Sequence, residues 1–419
     1  MLGNQQNINY RILAFLINPF FAFIFTLNSS NPKLISSMLF AWCIFFGFTF
    51  AISIESSDSD IIRYIEQIDE LKMLGINNLI DVYKWYFSKG EVDFYSITLI
   101  YLTYLIGGGY NTLTFLFSIL FSLFLAKNIK ILIELAQIEE VFIKILIVTF
   151  FMLNPVWYIN GVRFYTALHI LVFSVLKYLY HNKSKYLLLM LLTPLIHFSF
   201  FFGSFIVGLS LIFKNKPNIV FSFFLLSVFA SELLTNEFIS QVFSYFDFGV
   251  VSQRGSTYID KEIREQYLEE LGEVKVNWYM KYLDKMIRYS LTIIAFSIYF
   301  FLKKQIFNNS LTVKIFSISF FIYSIGNFLI NHFVLGRFYT FGSMLLVAFF
   351  IFILKENNLR IFLKNWGWFR IIIYGTLVIV CIVVLRIGLY NLSVSSIFSN
   401  PIIALFETNF KSINDLIKF

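Results

Sequence analysis

The 419-residue chain reads as an all-α polytopic membrane protein: about ten full transmembrane helices, short re-entrant or broken helices, and two long periplasmic loops. Three observations predict this class. Hydrophobic residues make up 58% of the chain and charged residues 14%; a soluble domain carries about 25% charged residues to cover its surface. The apolar residues fall in runs of about 17–25, the length that crosses roughly 30 Å of hydrocarbon as helix. These runs do not look like alternating strands of about ten residues, so a barrel is excluded.

The same composition excludes a soluble enzyme, a disordered chain and a secreted disulfide scaffold. The only two cysteines, Cys43 and Cys381, sit inside apolar runs and form neither a disulfide framework nor a metal-ligand spacing. The net charge of +8 comes from lysines and arginines scattered between the runs. That is the pattern of the positive-inside rule, and it predicts no nucleic-acid partner.

Taken in order, full spans are predicted over residues 10–27, 34–54, 110–133, 141–159, 164–180, 218–234, 286–302, 315–333, 338–354 and 371–390. The first has no basic leader and no small-residue cleavage site, so it reads as a retained span. Residues 94–106 are apolar but reach only about 20 Å as helix, and they end in Gly107-Gly108-Gly109. This segment is expected to dip into the bilayer without crossing. Residues 186–213 are interrupted by Thr193-Pro194 and His197. Lysines flank this stretch on both sides: Lys177, Lys183 and Lys185 before it, Lys214 and Lys216 after it. It should therefore enter and return as two short helices with a bend at 194–199. Propagating that orientation puts both chain ends outside, together with two loops, 55–93 and 236–284. The first loop carries nine acidic and four basic residues. The second holds an acid-rich stretch, 260–273, that reads as a surface helix. The chain is one membrane domain, 1–419.

Polar residues at external span starts are the candidate chemistry. In the first loop Asp58 can cap a helix, which would put Asp60 and Tyr64 on one face with Arg63 beside them. Capping alone accounts for Asp58. The functional reading is a carboxylate pair available as general base or to bind sugar hydroxyls. Next, Asn160 can cap the helix that follows it, and Arg163 falls in that helix's first turn. A cation there opposes the helix dipole, so Arg163 either snorkels to the interface or binds an anion through its rigid fork. His169 lies four residues beyond Tyr165 on the same helix face and is a second candidate, with a structural role the plainer one. His197 follows the intramembrane bend, and an ionisable residue at such depth commonly faces a cavity. Arg337, followed by Tyr339, repeats the arginine at an external span start, where interfacial anchoring is the plainer role. Arg254 lies in the second loop, where a solvated charge is the plainer role. No metal-ligand cluster, phosphate loop or nucleophile elbow occurs, and no cofactor is expected.

Four of these pieces together resemble the EpsG/Wzy-type polysaccharide polymerases of bacterial envelopes. They are D-x-D-x-x-R-Y at 58–64, N-x-x-R-x-x-x-A at 160–167, H-F-S at 197–199 and G-R-F-Y at 336–339. Where that family carries a Glu-Pro-Gly-Tyr-like stretch, this chain has Glu91-Val92-Asp93-Phe94-Tyr95. The resemblance implies a multi-pass protein of the bacterial inner membrane. It joins lipid-linked repeat units of O-antigen or a related surface polysaccharide at the periplasmic face. Donor and acceptor are undecaprenyl-pyrophosphate-linked glycans, and a flippase and a chain-length regulator are the implied protein partners. Arg163 and Arg337, with Arg254 as a third, would hold the pyrophosphate, and His197, Asp58 or Asp60 would be the base. Asn160, Tyr64, Tyr165, Tyr339 and His169 would bind substrate, with Trp157, Trp278 and Tyr258 stacking on sugars.

Rival classes predict different sequences. A lipid-linked oligosaccharide flippase should have about 12–14 even spans and paired inverted halves. An acyltransferase should place His and Arg near its first spans, where this chain has only Arg11 and Lys33. An O-antigen ligase would share nearly every feature and differ in its acceptor. A purely structural protein leaves the recurring polar motifs without a role.

Overall fold

All six prolines of the chain lie at helix beginnings or on the turn before one. The computed structural model describes residues 12–52, 60–136, 140–230, 278–332, 335–407 and 409–417. Asn18-Pro19, Asn31-Pro32 and Asn400-Pro401 each open a helix, with the asparagine oxygen accepting backbone N–H groups of the first turn. Proline at the first helical position gives up an N–H that would have no partner, and the asparagine satisfies another. Pro217 starts a helix, Pro194 is second in one, and Pro155 precedes a 3-10 turn at Val156–Gly161.

The elements run as follows. First come α1 Pro19–Thr26, α2 Pro32–Phe48, α3 Asp60–Leu74, α4 Leu79–Ser88, α5 Phe94–Leu105 and α6 Tyr110–Ala136. Then follow α7 Val141–Leu153, α8 Val162–His181, α9 Leu187–Met190, α10 Thr193–Ile196, α11 Phe200–Ile212 and α12 Pro217–Ala230. The remainder is α13 Trp278–Phe307, α14 Ser310–Leu329, α15 Phe338–Ile353, α16 Glu356–Trp366, α17 Phe369–Gly388, α18 Val394–Phe398, α19 Pro401–Ala404 and α20 Ile413–Ile417. No strand occurs among the described residues, which hold one isolated bridge, Ser393 to Ser412.

Among the described residues six stretches are long and apolar enough to cross a membrane: Tyr110–Ala136, Val141–His181, Tyr282–Phe307, Ser310–Leu329, Leu335–Ile353 and Phe369–Gly388. The protein is thus an all-α chain of multi-pass membrane character. The stretch Val141–His181 holds both α7 and α8, separated by the 3-10 turn. The other expected spans are shorter. The apolar run 10–27 breaks at Asn18, leaving α1 with 8 residues, and α2 has 17. The helix α12 has 14 residues, up to the point where the described chain stops. The 94–106 segment is the 12-residue α5, closed by Gly107 in the left-handed region at φ 65°. The 186–213 segment is broken as expected, into α9, α10 and α11, with extended backbone at His197 (φ −149°, ψ 119°). Of the second loop, 236–284, residues 236–277 lie outside the described residues, and with them the 260–273 stretch.

The chain divides into two compact units. The first takes Met1–Gln137, Asn154–Ser204 and Val384–Phe419. Here α2 lies against α6 so closely that a Cβ on Gly47 would stand 2.2 Å from the Ser118 Cβ. The amphipathic α3 buries Ile61, Tyr64, Ile68 and Leu71, one stripe at helical spacing, and packs on α5.

The second unit takes Ile138–Leu153 and Phe205–Val383. Its centre is the α14–α15 pair, sealed by Phe316, Phe320 and Phe349 with ring centroids 4.1–5.7 Å apart. Two glycines set the approach of these helices. A Cβ on Gly342 would lie 2.6 Å from the Tyr323 Cα, and one on Gly326 would lie 2.8 Å from the Tyr339 Cα. Backbone cannot yield as a side-chain tip does. Gly342→Ala should therefore lower stability by about 1–3 kcal/mol, read as a lower melting temperature of the detergent-solubilised protein. Gly375→Ala, where a Cβ meets nothing within 4 Å, should leave the melting temperature unchanged or raise it. Equal melting of both variants would contradict the close packing.

Candidate functional site

The polar centre of the first unit is built around a residue that looks like a helix cap. After α4 the chain turns through Gly90 (φ 79°), and Asp93 then stands at the N-cap position of α5. Its carboxylate makes no capping bond. Oδ2 instead accepts from Nη1 of Arg163 at 2.8 Å, and Oδ1 accepts the backbone N–H of Phe198 at 2.9 Å. Glu91 adds a second carboxylate, 3.5 Å from the same guanidinium nitrogen. Asp93 is 2% exposed. One buried side chain thereby ties the start of α5, the first turn of α8 and the break between α10 and α11.

This arrangement answers why an arginine stands at the positive end of α8. The local dipole disfavours it, and the two carboxylates outweigh that cost. It also changes the expectation for Arg163. The cation already faces two acids, so an incoming phosphate would have to displace them.

Tyr64 and Tyr86 close the same cluster. The Arg163 guanidinium carbon lies 5.7 Å from the Tyr64 ring centroid, and the Tyr86 hydroxyl is 3.3 Å from the Ser96 hydroxyl. Burial pushes both phenols above their usual range, with Arg163 opposing the shift, so both stay neutral near pH 7. Asp60 heads α3, pairs with Arg63, and lies within electrostatic reach of Tyr64. The predicted sharing of one face by Asp60 and Tyr64 is what α3 shows.

His197 joins this cluster through the residue that follows it. Its Nδ1 accepts from the Ser199 N–H at 3.2 Å and pairs with the Ser199 hydroxyl at 2.8 Å. A backbone N–H can only donate, so Nδ1 is the unprotonated nitrogen and the neutral ring carries its proton on Nε2. In that tautomer His197 is set to donate a proton from Nε2. The ring is wedged edge-on against Phe164, centroids 5.7 Å apart.

The 154–169 segment lies beside it. His169 is fully buried, and its Nε2 donates to the Asn154 carbonyl at 3.1 Å. The Asn154 amide donates to the Tyr165 carbonyl at 3.2 Å. His169 therefore fastens the turn onto α8, and a sugar could reach it only by displacing that packing. Asn160 does not cap α8, because it sits inside the 3-10 turn and Gly161 takes the cap position. Its Oδ1 is buried with no partner among the described residues, an acceptor left unused. Tyr165 packs on Tyr158 with the rings tilted by 32° and centroids 4.6 Å apart. Trp157 is 2% exposed and packs on Gly388, so it is a core residue and not a sugar platform.

Arg337 and Tyr339 belong to the second unit. Arg337 ends the 3-10 turn Leu335–Arg337 and is exposed. His332, buried, shapes this turn by accepting the Leu335 N–H at Nδ1 (3.1 Å). Tyr339 is buried, its hydroxyl 3.3 Å from that of Tyr323, which is 3.2 Å from the Thr292 hydroxyl. Arg288, also buried, donates to the Val228 carbonyl at 3.2 Å. Asp58, Arg254 and Tyr258 lie outside the described residues, as does the side chain of Trp278.

Asp93, Glu91, Tyr86 and Asn154 form the site without having been singled out by their sequence. The available signal was the departure Glu91-Val92-Asp93, which sets two acids directly before an apolar helix. No family model, no curated protein and no solved structure matches this chain.

Proposed function

We propose that the protein is a membrane glycosyltransferase that polymerises polyprenyl-pyrophosphate-linked oligosaccharide units at the periplasmic face of the bacterial inner membrane. One observation carries this reading: a buried carboxylate–arginine pair held against a histidine-bearing helix break in a chain otherwise made of apolar helices. Ionisable groups are expensive in such surroundings and mark sites of chemistry. The reaction fits what they offer. An acceptor hydroxyl attacks the anomeric carbon of the donor, the bond from that carbon to the pyrophosphate oxygen breaks, and the oxygen leaves with the electron pair. The hydroxyl proton passes to a carboxylate, for which Asp60 and Glu91 are the partly exposed choices in the first unit. In the first unit His197 Nε2–H serves as a donor to oxygen; the second unit, taken by itself, has in Arg337 an exposed cation whose fork suits a diphosphate.

Deleting the gene in its host tests the reading. A polymerase predicts surface glycan capped by a single repeat unit, with long chains absent. Loss of all surface glycan would favour a flippase or ligase, and unchanged long chains would overturn the proposal.

A further inference from the structure

We propose that α16 and the turn after it form a docking surface for the headgroups of anionic phospholipids. The helix joins α15 to α17, both in stretches long enough to cross a membrane. Its 11 residues reach only about 16 Å, so it cannot cross and stays at the face where its neighbours end. Its apolar side is already used by the protein. Leu359, Phe362 and Trp366 are 2%, 0% and 5% exposed, and Phe362 stacks on Phe142 with centroids 6.0 Å apart. Attachment by sinking an apolar face into lipid is therefore closed to α16.

What it turns outward is cationic. Arg360 and Lys364 are exposed on the helix, with Lys355 exposed before it and Arg370 after it. The stretch 355–370 contains a single acid, Glu356. Gly367, at φ 52°, turns the chain back into α17 and leaves Trp368 74% exposed, the aromatic that favours the headgroup level. The helix α13, which packs on α16, brings exposed Lys303 and Lys304 near its end. Only 28% of the most apolar stretch of α17 is buried, so the surface beside the cations is suited to lipid rather than to a folded partner. Fixed positive charge beside a lipid-facing helix selects a negative headgroup.

The test uses the full-length protein in phosphatidylcholine vesicles containing a small fraction of brominated phosphatidylglycerol or brominated phosphatidylcholine. Quenching at Trp368 is the difference between wild type and Trp368→Phe. Brominated phosphatidylglycerol should quench it with at least about tenfold higher apparent affinity. The variant R360Q/K364Q/R370Q should quench equally with both lipids, while R360K/K364R/R370K keeps the preference. For wild type, raising salt from about 20 mM to about 500 mM should weaken the preference. That arm decides the matter should the glutamine variant fail to insert. Equal quenching by both lipids in wild type overturns the proposal, as does a preference that survives the glutamine substitutions or is indifferent to salt. None of these readouts depends on glycan synthesis.

Discussion

Asp93→Ala should destabilise the protein by about 3–5 kcal/mol, the usual cost of stranding one member of a buried ion pair. The loss has two parts. Arg163, with its side chain 17% exposed, would be left facing Glu91 at 3.5 Å. The Phe198 N–H would lose the acceptor that fixes the break between α10 and α11. Arg163→Ala strands Asp93 instead and should cost a similar amount. The double variant should cost less than the sum of the two, because neither charge is then left alone. Asp93→Asn keeps the shape and removes the charge, so it should fall between wild type and Asp93→Ala. The measurement is thermal or denaturant unfolding of the purified protein in one detergent. Strict additivity would show that the two side chains do not act as a pair.

Arg337→Ala should behave in the opposite way. Arg337 is exposed and ends a short turn, so removing it should lower the melting temperature far less than removing the buried Asp93 does. Glycan elongation should nevertheless fall by at least about 100-fold, the scale set by losing one charge-stabilising donor. The readout is the ladder of surface-glycan lengths from cells expressing the variant in place of wild type. Arg337→Lys keeps the charge but not the paired fork, and should recover part of the activity. Full-length chains in Arg337→Ala cells would remove this residue from the diphosphate role. The two predictions separate by their larger effect, stability for the Asp93 variants and activity for the Arg337 variants.

The sequence was most informative where a signal is local. The Asn-Pro pairs mark helix starts because cap and first turn are neighbours in the chain, and Asn18, Asn31 and Asn400 do what such residues do. The break near residue 197 was legible because a proline, a histidine and a stretch of the wrong length coincide. The count of crossings was less so. Hydropathy alone does not register that Asn18-Pro19 interrupts the apolar run 10–27. Asn160 resembles a cap in sequence, yet the 3-10 turn advances the helix start by one residue and hands that place to Gly161.

Asp93 was illegible for a different reason. Its φ and ψ and its position are those of an ordinary N-cap, while its partners are 70 and 105 residues away. Arg163 was noticed because it stands against a helix dipole. What relieves that conflict is distant in sequence, so anion binding and internal pairing could not be told apart before the fold was known.

That separation along the chain has a consequence for biogenesis. Translation delivers Asp93 first and Arg163 seventy residues later. At about 5–20 residues per second the acid waits roughly 4–14 s for its counter-ion. Through that interval the carboxylate at the head of α5 lacks the guanidinium that faces it in the fold. The later arrival of α8 is what brings the two charges into the fold as a pair.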